Sequence, residues 1–303
     1  MLRLLVLVLL SGCARRLEPV DVTPTTDEQR LARGRYLAEA VMACGSCHAQ
    51  RDWSRPGGPP SDGTEFAGSG DLARTEGFSE KFSFSAPNLT PHHLGAWTDG
   101  ELARAIVFGQ SRDGSGLFPY MPYFEYRDAL AREDLSALVA WLRTLPPVPW
   151  APPGPRRFPM PGFVLNGFPE ARVLRERAPA PGTVEYGRYL AELGNCRACH
   201  TKSDRRGSPI GPVWAGGREF PAPAPGTGTI TSSNLTPHER GLGSWTKEAF
   251  IARFRVRAAE ANGSVGDGAR STVMPWWAFG RLRDEDLGAI YEYLRTVPAA
   301  TSP

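Results

Sequence analysis

The strongest constraint in this sequence is that it repeats itself. Gly34-Arg35-Tyr36-Leu37-Ala38-Glu39 returns 153 residues later as Gly187-Arg188-Tyr189-Leu190-Ala191-Glu192. Cys44-x-x-Cys47-His48 returns after 152 residues as Cys196-x-x-Cys199-His200, and Met121-Pro122 after 153 as Met274-Pro275. Asn88-Leu-Thr-Pro-His92 returns after 146 as Asn234-Leu-Thr-Pro-His238. Asp134-Leu135 followed by Leu142-Arg143-Thr144 returns after 152 as Asp286-Leu287 followed by Leu294-Arg295-Thr296. The order is kept and the offset drifts only by loop lengths, which is the signature of a tandem duplication. A length of 303 residues accommodates two ordinary domains.

Between the copies, positions 146–181 carry eleven prolines in 36 residues. Such a stretch cannot sustain helix or sheet ladders and should run extended over the surface. Phe158, Phe163, Val164 and Phe168 are its candidate anchors. The expected boundaries are residues 27–147 for the first domain, 148–182 for the Pro-rich linker and 183–299 for the second domain.

Inside each copy the patterning is helical. Leu135, Leu138, Val139 and Leu142 fall at i, i+3, i+4 and i+7, as do Leu287, Ile290, Tyr291 and Leu294. Thr98 with Glu101 reads as a capping box opening a middle helix through about Phe108, with a partner beginning near Thr246. A first helix should run from Asp27 to Ala43 and end at the first Cys-x-x-Cys-His. Gly34 and Gly187 sit inside the first helices, where glycine costs about 1 kcal/mol against alanine. That cost implies close approach of another helix, through Trp141 and Tyr293. Residues 51–87 and 201–233 offer turn residues and no strand alternation. The expected fold class is all-α.

With 35 basic and 32 acidic residues the net charge is only +3, which gives no footprint for nucleic acid. Arg3, the apolar run 4–10, then Ser11, Gly12 and Cys13 describe an export signal over residues 1–12. Leu10-Ser11-Gly12-Cys13 also resembles the lipobox of bacterial lipoproteins, in which the cysteine receives lipid. No other stretch reaches the ~20 apolar residues that a membrane-spanning helix needs.

A Cys-x-x-Cys alone is ambiguous between redox dithiol, zinc half-site and disulfide. The histidine that follows makes it the attachment signature of c-type haem. Two thiols one helical turn apart add to the two vinyl groups on one porphyrin edge, and the next imidazole reaches the iron. Zinc ribbons want their pairs about 15 to 20 residues apart, and here Cys196 follows Cys47 by 149 residues. The sixth iron position has two candidate pairs. Met121 and Met274 lie 73 and 74 residues after His48 and His200, each before proline and aromatics. His92 and His238 are also matched, and would give bis-His sites of lower potential. The methionines are the favoured pair; Met42 is tied to the proximal helix and Met160 is unmatched. Trp97 and Trp245 read as packing residues or as indole donors to a haem propionate.

At these motifs the sequence resembles the tandem class I cytochromes c of bacteria, and among them the cytochrome c subunits of membrane-bound alcohol and gluconate dehydrogenases. The residues that carry the likeness are NLTPHHLGAWT, LFPYMPYF and REDLSALVAWLRTLPPV in the first copy. NLTPHERGLGSWT, VMPWW and DEDLGAIYEYLRTVP carry it in the second. Those subunits usually hold three haems where this chain has two motifs, and usually have Asp where it has His92 and His238. The resemblance implies two class I cytochrome c-like domains and two covalent haem c groups on Cys44, Cys47, Cys196 and Cys199. It implies His48 and His200 as proximal ligands and Met121 and Met274 as distal ones, with Cys13 taking lipid. It also implies a periplasmic, membrane-anchored electron carrier whose partners are a dehydrogenase, oxidase or another cytochrome. The competing reading is a dihaem redox enzyme of the peroxidase or thiosulfate dehydrogenase type with one open haem; a haem sensor is a third.

Overall fold

The computed structural model describes residues 16–23, 25–75, 80–150, 169–204, 208–222, 228–263 and 272–303. The expected signal segment, Cys13, Met160 and the four linker anchors lie outside the described residues. Helix α1 (Glu28–Tyr36) opens at Asp27, whose carboxylate accepts the Arg30 N–H at 2.9 Å. A single helix to Ala43 is expected from the sequence, but after Tyr36 the chain widens into a π-helical turn, Leu37–Val41, closed by Met42 N–H on the Leu37 carbonyl at 2.8 Å. Ala43, at φ +47°, then reverses the chain into the turn Cys44–Ser46.

Downstream come α2 (Leu72–Thr75), α3 (Pro91–Leu94), α4 (Asp99–Phe108), α5 (Tyr123–Ala129) and α6 (Arg132–Leu142). The capping box of α4 is formed, Thr98 accepting from Glu101 N–H and Glu101 from Thr98 N–H. The later elements are α7 (Val184–Leu193), α8 (Cys196–Cys199), α9 (Lys247–Glu260), α10 (Trp276–Phe279) and α11 (Asp284–Thr296). Asn195, at φ +50°, repeats before Cys196 the reversal that Ala43 makes before Cys44. Thr246 caps α9 as expected.

Among the described residues the fold is helical, and it departs from the all-α expectation in a two-stranded antiparallel ribbon pairing β1 (Glu219–Pro221) with β2 (Thr229–Thr231). Thr229-Ile230-Thr231 has period-2 patterning and β-branched side chains, too short a run to stand out among the surrounding prolines and glycines.

Helix α1 packs on α6, and α7 on α11. The two helical glycines are the contact points. A Cβ on Gly34 would stand 2.0 Å from the Ala137 carbonyl oxygen, and one on Gly187 1.9 Å from that of Ala289. Trp141 supports the first crossing as expected, its Cβ 2.8 Å from the Gly34 position. In the second, the backbone of Ala289 and Ile290 makes the approach, while Tyr293 stacks edge-on against Trp214. Phe66 meets Trp141 in the same way, and both Phe66 and Trp214 have positive φ.

Asn88 and Asn234 explain the Asn-Leu-Thr-Pro motif. Each Oδ1 accepts the N–H and hydroxyl of the threonine two residues on. Each Nδ2 reaches chain that follows a last helix, Asn88 to the Val148 carbonyl and Asn234 to that of Ala300. The threonine hydroxyls accept from Val148 N–H and Ala300 N–H.

The described part of the Pro-rich segment is a strap. Arg132 N–H and Glu133 N–H donate to the Arg175 and Glu176 carbonyls, and Leu174 is buried in the core. The two copies also meet reciprocally. The Tyr36 hydroxyl donates to Asp286 and accepts Arg283 N–H, while the Tyr189 hydroxyl donates to Asp134 and accepts Ala131 N–H. Each tyrosine thereby satisfies the N-terminus of the other copy's last helix, where backbone donors lack partners. Such an exchange of like contacts is the geometry of an isologous interface.

Candidate haem-binding sites

His48 and His200 are held alike. Each Nδ1 lies 2.8 Å from a backbone carbonyl, that of Pro87 for His48 and Ser233 for His200, the residue before each Asn-Leu-Thr-Pro motif. With Nδ1–H donating there, Nε2 keeps its lone pair, the arrangement in which an imidazole ligates a metal. Burial lowers the pKa of both rings and favours the neutral form a ligand requires. The asparagine clamp thus fixes the loop that orients the histidine.

Cys44 and Cys196 face the apolar interior, and burial pushes both thiols up to about 12. Sulfurs in that setting are neutral, unlike the electropositive surroundings of a reactive thiolate, and suit thioethers. Cys47 packs partly buried beside Phe82, Phe84, Phe118 and Tyr120, whereas Cys199 is exposed.

In the C-terminal copy these pieces surround one cavity of about 370 Å³, within the range of cofactor pockets. Cys196, His200 and Met274 all line it, together with Trp245, Phe250, Phe254, Trp276 and Leu294. His238 is not among its walls; its Nδ1 accepts the Arg240 N–H at 3.1 Å. Met274 is anchored by its backbone, its carbonyl accepting Trp276 N–H at 2.8 Å. Met121 has the same bond from Tyr123 N–H at 2.8 Å, and with Cys44 it packs against the apolar core. His92 is solvent-exposed on α3.

The residues present fit haem c: an apolar slot, two thiols, an imidazole and a thioether. The N-terminal copy adds an orphaned donor. The Tyr123 hydroxyl is buried with no hydrogen-bond partner among the described residues, and its ring stands 2.6 Å from the Cβ position of Gly109. Gly109 ends the α4 stripe Leu102, Ala105, Ile106, Gly109, the counterpart of the α9 stripe that lines the C-terminal cavity. Trp245 lines that cavity, under the guanidinium of Arg253; Trp97 is half-buried, its carbonyl accepting from Arg143. Sequence reasoning missed Asn88, Asn234, Arg143 and Arg295 as supports. Arg143 donates to the Leu94 and Trp97 carbonyls and Arg295 to that of Leu242. Their repetition in both copies was the available signal.

The family model for cytochrome c matches residues 184–298. The chain is similar to a dihaem cytochrome c-type protein of Cereibacter sphaeroides, 32% identical over 84% of this chain and 82% of that one. It is similar to the fructose dehydrogenase cytochrome subunit of Gluconobacter japonicus, 27% identical over 96% of this chain. It is also similar to the gluconate 2-dehydrogenase cytochrome c subunit of Pantoea cypripedii, 29% identical over 88% of this chain. The chain spans 58% and 59% of the length of those two subunits. With its helical architecture, its cavity of cysteine, histidine and methionine, and these relatives, the chain belongs to the cytochrome c family.

Proposed function

We propose that this chain is an exported dihaem cytochrome c, tethered to the membrane by lipid on Cys13, that relays electrons from a periplasmic dehydrogenase to a downstream respiratory acceptor. Two class I cytochrome c-like domains, residues 27–147 and 183–299, joined by the Pro-rich linker, would each hold one haem. The observation that carries the reading is the cavity walled by Cys196, His200 and Met274, with His48 of the first copy held by the same kind of carbonyl contact as His200. The dehydrogenase partner is supported by the names of the relatives, and the lipid tether by Leu10-Ser11-Gly12-Cys13.

A bound haem c supplies a one-electron iron couple, placed at high potential by His/Met ligation. Cys44, Cys47, Cys196 and Cys199 would hold the haem covalently through thioethers. His48 and His200 would offer the iron a ring nitrogen, with each imidazole oriented by the Pro87 or Ser233 carbonyl. Met121 and Met274 would offer the iron an uncharged thioether sulfur, a ligand with no proton to exchange. The aromatic and aliphatic walls exclude water.

The carrier reading is tested against the enzyme reading by exposing the ferrous holoprotein to carbon monoxide at neutral pH and assaying peroxide turnover after prereduction. Closed sites leave the spectrum unchanged and give no turnover. Carbon monoxide binding at one haem, with turnover, overturns the carrier reading in favour of a dihaem peroxidase-type enzyme.

A further inference from the structure

The two copies differ in charge along their middle helices, α4 and α9. On α9, Phe250, Arg253, Phe254 and Arg257 fall at i, i+3, i+4 and i+7 and all line the C-terminal cavity. The matching stripe of α4, counted from Trp97-Thr98 and Trp245-Thr246, is Leu102, Ala105, Ile106 and Gly109. Two arginines of the second copy therefore stand where the first has alanine and glycine. A third, Arg240, comes from a longer loop: Asn234 to Trp245 has two residues more than Asn88 to Trp97. It lines the same cavity.

Among the described residues the cavity wall holds these three guanidiniums and no carboxylate. Arg253 lies over the Trp245 ring, 5.2 Å to its centroid, and Arg257 is ion-paired with Glu260. In the first copy, α4 ends at Gly109 with φ +65°, and Tyr123 fills the space there. The nearby Arg104 is buried but turned away, donating to the Leu17 and Ser111 carbonyls.

We propose that Arg253 and Arg257, with Arg240, hold the C-terminal haem at a higher midpoint potential than the N-terminal one, so that electrons move within the chain toward the C-terminal site. The inference rests on the reading of one haem per copy. Reduction adds a negative charge to the haem, and guanidiniums that line its cavity favour that state, with Arg240 and Arg253 acting from positions that also reach solvent. They also compensate two propionates that would otherwise oppose it. The greater exposure of His200 than of His48 acts in the other direction. On this inference the two additional cations of the α9 stripe, together with Arg240, set the order.

The test is a spectroelectrochemical titration of the holoprotein, wild type against Arg253→Gln, Arg257→Gln and the double variant. Haem content is first measured as the pyridine haemochrome. Two haems per chain in every sample keep the dihaem reading intact whatever the potentials do. The expected result is two resolved waves, of which only the upper falls, further in the double variant than in either single one. Ala105→Arg, which adds a cation to the first copy, should raise only the lower wave. An unmoved upper wave, or a fall confined to the lower one, overturns the inference.

Discussion

Replacing Tyr36 by phenylalanine removes one half of the reciprocal contact between the copies, and Tyr189→Phe removes the other. The two losses should differ. Asp134 keeps Arg33 when Tyr189 loses its hydroxyl, with guanidinium contacts of 2.9 Å and 2.6 Å on its two oxygens. Asp286 is equally buried, but Tyr36 is the hydrogen-bond donor to its carboxylate among the described residues. A hydrogen bond to a charged group contributes about 1.5–3 kcal/mol, and an orphaned buried carboxylate costs the upper figure. Tyr189→Phe should therefore lose about 1.5 kcal/mol and Tyr36→Phe about 3 kcal/mol.

The Tyr36 effect should depend on pH. Burial already raises the Asp286 pKa, and the Tyr36 hydroxyl opposes that rise. Between its unfolded and folded pKa values the native state binds more protons, so stability falls as pH rises through that window. Removing the hydroxyl raises the folded value further and widens the window. The deficit of Tyr36→Phe should be largest at neutral pH and shrink as pH falls through the folded value, where the carboxyl becomes neutral. Urea unfolding of the holoproteins, followed by far-ultraviolet circular dichroism at acid and neutral pH, measures both effects. Equal losses in the two variants, or a Tyr36→Phe deficit independent of pH, would refute the reasoning.

Three further outcomes follow from the same contacts. Gly34→Ala and Gly187→Ala, favourable by helix propensity, should instead destabilise by about 1–3 kcal/mol or more, because the methyl meets a carbonyl of the crossing helix; a raised melting temperature would contradict this. Thr98→Ala should cost about 1 kcal/mol by removing the α4 capping box, and Thr246→Ala a similar amount at α9, read by denaturant midpoint. Asn234→Ala should loosen the Ser233 carbonyl that holds His200 and release the chain at Ala300, giving a broadened ferric spectrum and faster amide exchange at residues 298–302.

Much of this was legible in the sequence because each signal was local or repeated. The caps at Asp27, Thr98 and Thr246 need only a few neighbouring residues, and the helical glycines announce a close crossing without identifying its atoms. Cys-x-x-Cys-His states its own chemistry. The reciprocal Tyr36 and Tyr189 bonds were not legible, because they join residues about 250 and 55 apart and depend on how the copies dock. The π-helical turn at Leu37–Val41 adds no unusual residue type, only one extra residue per turn. Arg253 and Arg257 carry no signal of their own in the sequence; in the structure they share the face of α9 on which Phe250 and Phe254 line the cavity.

The central claim is that each copy holds one haem between a histidine and a methionine. It is tested most directly by the ferric spectrum of protein matured with haem, quantifying the weak far-red methionine–iron band against haem content in wild type, Met121→Leu and Met274→Leu. The account predicts a full band for two haems in the wild type and half of it in each variant. A wild-type band worth one haem, or a variant that leaves it whole, would contradict it.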